Sequence, residues 1–198
     1  SSDLMIPTLF IIYMYRSPKT NADEKSRLLA YIPLFICAVM FWAIAEQSST
    51  VIATFIDTRT NLNLWGFEIP AAWFQSFNPL FIIVLAPMFA IMWTKLADRG
   101  PSTPKKFALS LFFAGISFFV MIAAIVLTPE DTLVNPLWVV FSIFLLVLGE
   151  LLLSPVGLSA TTKLAPAAFA GQTMALWFLA SAAAQAINAQ LVRVYGIV

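Results

Sequence analysis

The sequence predicts an all-α membrane protein of five full transmembrane helices preceded by a short apolar segment. Three observations lead there. The 198 residues are 61% hydrophobic and 11% charged, against roughly 25% charged in a soluble domain. Five apolar runs reach the length of about 20 residues that a helix needs to cross about 30 Å of hydrocarbon. Of the 11 Lys and Arg residues, all but Arg59 and Arg193 fall on one side of those runs, the bias that orients membrane helices.

Residues 4–15 (LMIPTLFIIYMY) are apolar but too short to span alone, and are expected to form an interfacial helix or the tail of a longer span. Ser1, Ser2 and Asp3 supply no basic region and no cleavage site follows, so no signal-peptide pattern is read there. The spans are expected over about 29–57, 71–96, 106–128, 136–160 and 168–192. Pro33, Pro79, Pro87 and Pro155, with Gly115, Gly149 and Gly157, punctuate them, a pattern tolerated in membranes where neighbours satisfy the freed backbone groups. Pro155, between Ser154 and Gly157, predicts a bend. Loops 16–28, 97–105 and 161–167 are predicted cytoplasmic, and loops 58–70 and 129–135 with the C-terminus external.

Several function classes are disfavoured. The chain has no histidine, which removes imidazole catalysis and His-based metal sites. Its single cysteine, Cys37, lies inside an apolar run and reads as a small buried hydrophobe. The basic residues form no patch, so no nucleic-acid partner is expected. No Gly-rich phosphate loop, HExxH, paired-cysteine spacing or nucleophile beside a base is present, so neither enzymatic activity nor a cofactor or metal is expected.

Two glutamates stand out, because each lies deep in a long apolar run with no other charge near it in sequence. A carboxylate in hydrocarbon costs several kcal/mol and normally faces a cavity, a cation or a proton path. Glu46 is about 17 residues into its span, about 25 Å from one end at 1.5 Å per residue. Trp42, Thr50, Ala53 and Asp57 share its face by helical spacing, one stripe that leads to the external mouth and resembles an ion or proton entry route. A fixed buried salt bridge is the competing reading. Glu150 lies about 14 residues into the fourth span, with Ser154 and Gly157 continuing its face, and suits a substrate ammonium group. Neither carboxylate has a Lys or Arg at comparable depth in any span. In the last span Trp177, Ser181, Gln185 and Asn188 align at spacings of four, four and three, alternating with small residues from Ala180 to Ala186. The stripe reads equally as a cavity lining or as polar glue between helices. Asn78, just before Pro79, reads likewise as a substrate contact or as a cap for a kinked backbone.

The segments FWAIAEQSST (Phe41–Thr50), FNPLF (Phe77–Phe81), GELLLSPVGLSATTKLAP (Gly149–Pro166) and ALWFLASAAAQAINAQ (Ala175–Gln190) together resemble the C-terminal half of a bacterial proton-dependent oligopeptide transporter of the major facilitator superfamily. LADRGPSTPKK (Leu96–Lys106) resembles that superfamily's cytoplasmic loop between the eighth and ninth helices. The resemblance implies a C-terminal helical bundle, the five spans matching family helices seven to eleven. It makes residues 1–28 the end of an inter-bundle helix and a cytoplasmic linker, and residues 29–198 the bundle, with the twelfth helix and the N-terminal bundle outside the sequence. It also implies proton-coupled symport of di- and tripeptides in the bacterial inner membrane, with protons, peptides, the lipid bilayer and the N-terminal six-helix half as partners. Glu46 then matches the proton-coupling carboxylate that pairs with a first-helix arginine. Glu150 matches the glutamate that receives the peptide amino terminus, and Asn78, Ser154, Trp177 and Ser181 match positions lining the peptide pocket. The chain departs from the many members with two consecutive acids before the glutamine, since Ala45 precedes Glu46, and the number of coupled protons stays open. The other readings are a transporter of nitrate, an amino acid or a drug, and a membrane assembly subunit that transports nothing.

Overall fold

The computed structural model describes residues 2–64, 66–96 and 99–194, with side chains for all of these except 2–4, 48–49, 64 and 191–194. Arg193, the residues after it, and positions 97 and 98 of the Leu96–Lys106 segment therefore lie outside the described side chains. The chain is helical nearly throughout: α1 Ser2–Arg16, α2 Ala22–Ala45, α3 Val51–Arg59, α4 Phe77–Leu96, α5 Thr103–Leu127, α6 Pro136–Leu164 and α7 Ala170–Val194. Five helical segments among the described residues are long and apolar enough to cross a membrane, and α1 is a shorter apolar helix.

Local chemistry sets the helix ends. Asn21 and Glu24 form a capping box at the start of α2, the Asn21 side chain accepting from the Glu24 N–H and the Glu24 carboxylate accepting from the Asn21 N–H, each at 2.9 Å. Pro136 opens α6, where a missing N–H costs nothing, and Asn135 accepts from the Leu137 N–H at 2.9 Å. Thr20 closes α1 by donating to the Met14 carbonyl at 2.8 Å. Loop 58–70 holds a short antiparallel hairpin, β1 Asn63–Leu64 and β2 Phe67–Glu68. Its turn requires Gly66, which sits at φ +87° and donates its N–H to the Asn63 side chain at 2.9 Å.

The first span departs from expectation. No continuous helix runs over 29–57: α2 ends at Ala45, a 3-10 turn covers Glu46–Ser49, and Thr50 leaves helical geometry at φ −118°, ψ −83° before α3 begins. The cause is the polar run from Glu46 to Thr50. Thr50 turns its N–H (3.2 Å) and hydroxyl (3.4 Å) back to the Gln47 carbonyl, the competition by which such side chains unseat helices. A 3-10 turn advances three residues per turn rather than 3.6, so the stripe from Trp42 through Glu46 and Thr50 to Asp57 does not lie along one helix.

The chain divides into two compact units. The first comprises Ser1–Glu46 and Leu153–Val198. Here α2 packs along α7 through small residues, with Ala38 facing solvent nowhere and Ala180, Ala183 and Ala184 equally enclosed. Such seams let helix backbones approach closely where lipid supplies no hydrophobic drive. Asn188 of α7 donates its amide to the Ala43 carbonyl at 3.0 Å, in the last turn of α2, whose carbonyls lack their usual donors. Glu24 also accepts from the Ala167 N–H at 2.9 Å, fastening the α6–α7 connection to the start of α2. Helix α1 belongs to this unit, with Tyr13 edge-on to Phe169 at 5.8 Å.

The second unit, Gln47–Leu152, is built on α6, whose Val139, Ile143, Val147 and Leu151 meet Ile52 and Ile56 of α3, Phe74 and Met121. Ser142 donates to the Ser117 carbonyl at 2.9 Å, joining α6 to α5. Thr60 pairs with Val134 as an isolated parallel bridge, which ties the hairpin loop to the α5–α6 loop. Helix α4 has no buried residue, and Ile83 is 71% exposed.

These polar ties differ in what their loss leaves behind. Asn188→Leu strips a donor from the end of a broken helix and is expected to destabilise the intact protein by about 1 kcal/mol. Ser142→Ala removes a donor from a mid-helix carbonyl that keeps its own helical partner, and should cost about half as much. Thermal melts of the two purified variants in detergent check the order, and an equal or reversed order contradicts it.

Candidate functional site

Glu150 lies in α6 and Asn78 in the first turn of α4, both half-buried in the second unit. The Asn78 amide donates to Glu150 Oε2 at 3.5 Å, across 72 residues of sequence. That length marks a weak bond. Pro79 follows in the first turn of α4, where its missing N–H breaks no helical bond, so the chain can place Asn78 there without disrupting the helix. An amide neutralises no charge, so this contact leaves the carboxylate able to take a stronger, cationic donor.

Asn78 also lines a cavity of about 230 Å³ with Gln75, Ile52, Ile56, Phe74, Pro79, Ile143 and Leu146. A second cavity, about 350 Å³, is lined by Thr54, Asp57, Ala53, Ala71, Ala72 and again by Ile56 and Gln75. Gln75 thus borders both, from the 3-10 turn Ala71–Ser76 that precedes α4. Sequence reasoning missed it. The available signal was its place three residues before Asn78, a second amide in the same apolar run.

The remaining candidates belong to the first unit. Glu46 is half-buried and forms the C-cap of α2, its N–H donating to the Trp42 and Ile44 carbonyls, so the helix break fixes its backbone. Ser154 is half-buried on α6. Trp177 is 5% exposed and packs against Gly157. Ser181 donates to the Phe178 carbonyl of its own helix at 3.1 Å. The predicted α7 stripe therefore divides: Trp177 is enclosed, Gln185 is exposed, and Asn188 is committed to Ala43 as helix glue. The structure brings Asn78 to Glu150 and Trp177 to Gly157, one pair in each unit. Among the described residues no group of three His, Cys, Asp or Glu side chains converges to hold a metal.

Known proteins match this arrangement along nearly its whole length. The POT family model, PTR2, covers residues 2–196. The uncharacterized transporter YclF of Bacillus subtilis is 56% identical over 188 residues, covering 95% of this chain and 38% of that protein. A di-/tripeptide transporter of Lactococcus lactis subsp. cremoris is 46% identical over 196 residues, covering 97% of this chain and 39% of that protein. Among solved structures, a mutant of peptide transporter POT in complex with alafosfalin superposes with a TM-score of 0.93 at 61% identity, covering 98% of this chain and 40% of that one. A POT family transporter in complex with 5-aminolevulinic acid superposes at 0.89 with 40% identity, covering 96% of this chain and 40% of that one. The chain therefore spans about 40% of the length of the relatives it matches. Five membrane-length helices and these relatives make it part of a multi-pass membrane protein with the fold of major-facilitator-type transporters. Matched by the family model over residues 2–196 and superposing on solved members through all its helices, this chain belongs to the POT family.

Proposed function

We propose that this chain supplies the C-terminal half of the binding site of a proton-coupled symporter of di- and tripeptides, working by alternating access in the bacterial inner membrane. The observation that carries the reading is Glu150, a carboxylate in an apolar helix held by the Asn78 amide at 3.5 Å and by no Lys or Arg from the middle of any span. A weakly held carboxylate is suited to exchange its amide for a peptide's ammonium group, a charge-assisted bond about twice as strong. The names of relatives support the same substrate class, since two are di-/tripeptide transporters and one was solved with 5-aminolevulinic acid, which also carries an amine.

In this reading residues 1–28 are the end of an inter-bundle helix with its linker, and residues 29–198 are the C-terminal bundle. The partner is the N-terminal six-helix half of the same transporter. Loops 16–28, 97–105 and 161–167 face the cytoplasm. Glu46 is the proton switch: ionised, it pairs with a cation of the other half, and protonated, it releases that half to move. Its place at the C-cap of α2 supports this role, because the helix break fixes its backbone where a small shift re-aims the side chain. Asn78, Ser154, Trp177 and Ser181 line the peptide pocket. The protein converts no substrate chemically, and its energy is that of the proton gradient.

In the full-length transporter, Glu46→Gln is expected to abolish uptake driven by a proton gradient while counterflow exchange persists. Driven uptake at the wild-type rate would remove Glu46 from coupling. N-acetylation of a dipeptide is expected to weaken its binding about 30-fold or more, the loss of at least about 2 kcal/mol of charge pairing. Glu150→Gln should erase that difference between the free and acetylated peptides. Equal binding of both to the wild type would dismiss the ammonium-anchor role.

A further inference from the structure

We propose that Gly157 sets the side-chain selectivity of the peptide pocket, by admitting the indole of Trp177 into α6 and so fixing how far that ring stands into the pocket. The inference rests on the reading that Trp177 lines the pocket. At Gly157 the ring occupies the place of a side chain: a Cβ built there would overlap Trp177 Cη2, Cζ2 and Cζ3. At Gly66, Gly115 and Gly171 such an atom would meet nothing within 4 Å, so glycine at 157 is not simply one more small residue in a tight helix.

The stretch of α6 that receives the ring is held in place. The Thr161 hydroxyl donates to the Gly157 carbonyl at 2.8 Å and lies 3.3 Å from the buried Tyr31 hydroxyl of α2. The helix therefore cannot readily yield to an added methyl, and the indole must. Thr173 and Ala180, which flank Trp177 on its face of α7, are fully enclosed, so a displaced ring cannot slide along its own helix. An indole pushed off α6 takes up space that a bulky peptide side chain would fill. It leaves room for a small one.

The test uses the full-length transporter and the ratio of apparent affinities for dialanine and diphenylalanine. Gly157→Ala is expected to weaken diphenylalanine relative to dialanine by about tenfold or more, the scale on which one methylene in a pocket discriminates. Adding Trp177→Leu to that variant should return the ratio to that of Trp177→Leu alone. A ratio within about twofold of wild type in Gly157→Ala, or an equal loss for both peptides that Trp177→Leu does not rescue, overturns the inference. Trp177→Leu alone separates it from the reading beneath: if this variant binds both peptides with the wild-type ratio, Trp177 does not line the pocket and both fail. If Trp177→Leu shifts the ratio and Gly157→Ala does not, only the role of Gly157 fails. Should Gly157→Ala not fold, a double variant with a native-like melt supports the steric notch, and a double variant that also fails to fold contradicts it.

Discussion

A backbone polar group in hydrocarbon has no water to bond, so every interruption of a helix must be repaired by a neighbouring side chain. The polar features of this chain follow from that constraint. Where α2 breaks at Glu46, Asn188 of α7 supplies the Ala43 carbonyl. Within α6 the Thr161 hydroxyl donates to the Gly157 carbonyl one turn earlier. Ser142 also reaches across to α5, where the Ser117 carbonyl keeps its own helical partner. The bonds from Asn188 and Ser142 also hold a helix in register with its neighbour.

Against that background the carboxylates are distinguishable from the glue. Asn188, Ser142 and Thr161 are neutral donors within 3.0 Å of the backbone carbonyls they serve. Glu150 accepts instead from a side-chain amide at 3.5 Å, too long and too weak to account for a charge in an apolar helix. The proposed function gives this carboxylate an occupant that packing does not supply. Asn78 also borders the cavity of about 230 Å³ that Gln75 lines, so open volume adjoins this contact.

The spans were readable because an apolar run of about 20 residues admits few structures other than a membrane helix. Four of the five expected spans match α4 to α7 to within a few residues. The break in the first was not readable as such: Glu46, Thr50 and Asp57 keep helical spacing on paper, and only the hydrogen bonds from Thr50 back to Gln47 reveal that the winding changes. Asn78 and Glu150 were each visible as polar residues in apolar surroundings, whereas their contact was not, since periodicity places a residue on a face without saying which helix that face meets. Trp177 was legible as an aromatic on a polar stripe. Its bed on Gly157 was hidden, because a glycine in a helix carries no mark of whether its missing side chain is used.

The seam of Ala38, Ala180, Ala183 and Ala184 constrains change in one direction only. Apart from glycine, every residue that replaces an alanine is larger, so random substitution along this seam can lever α2 and α7 apart but has almost no way to draw them closer. Sequence drift should therefore be strongly asymmetric along these two helices, nearly frozen at four small positions, with that frozen set marking where they must stay in contact.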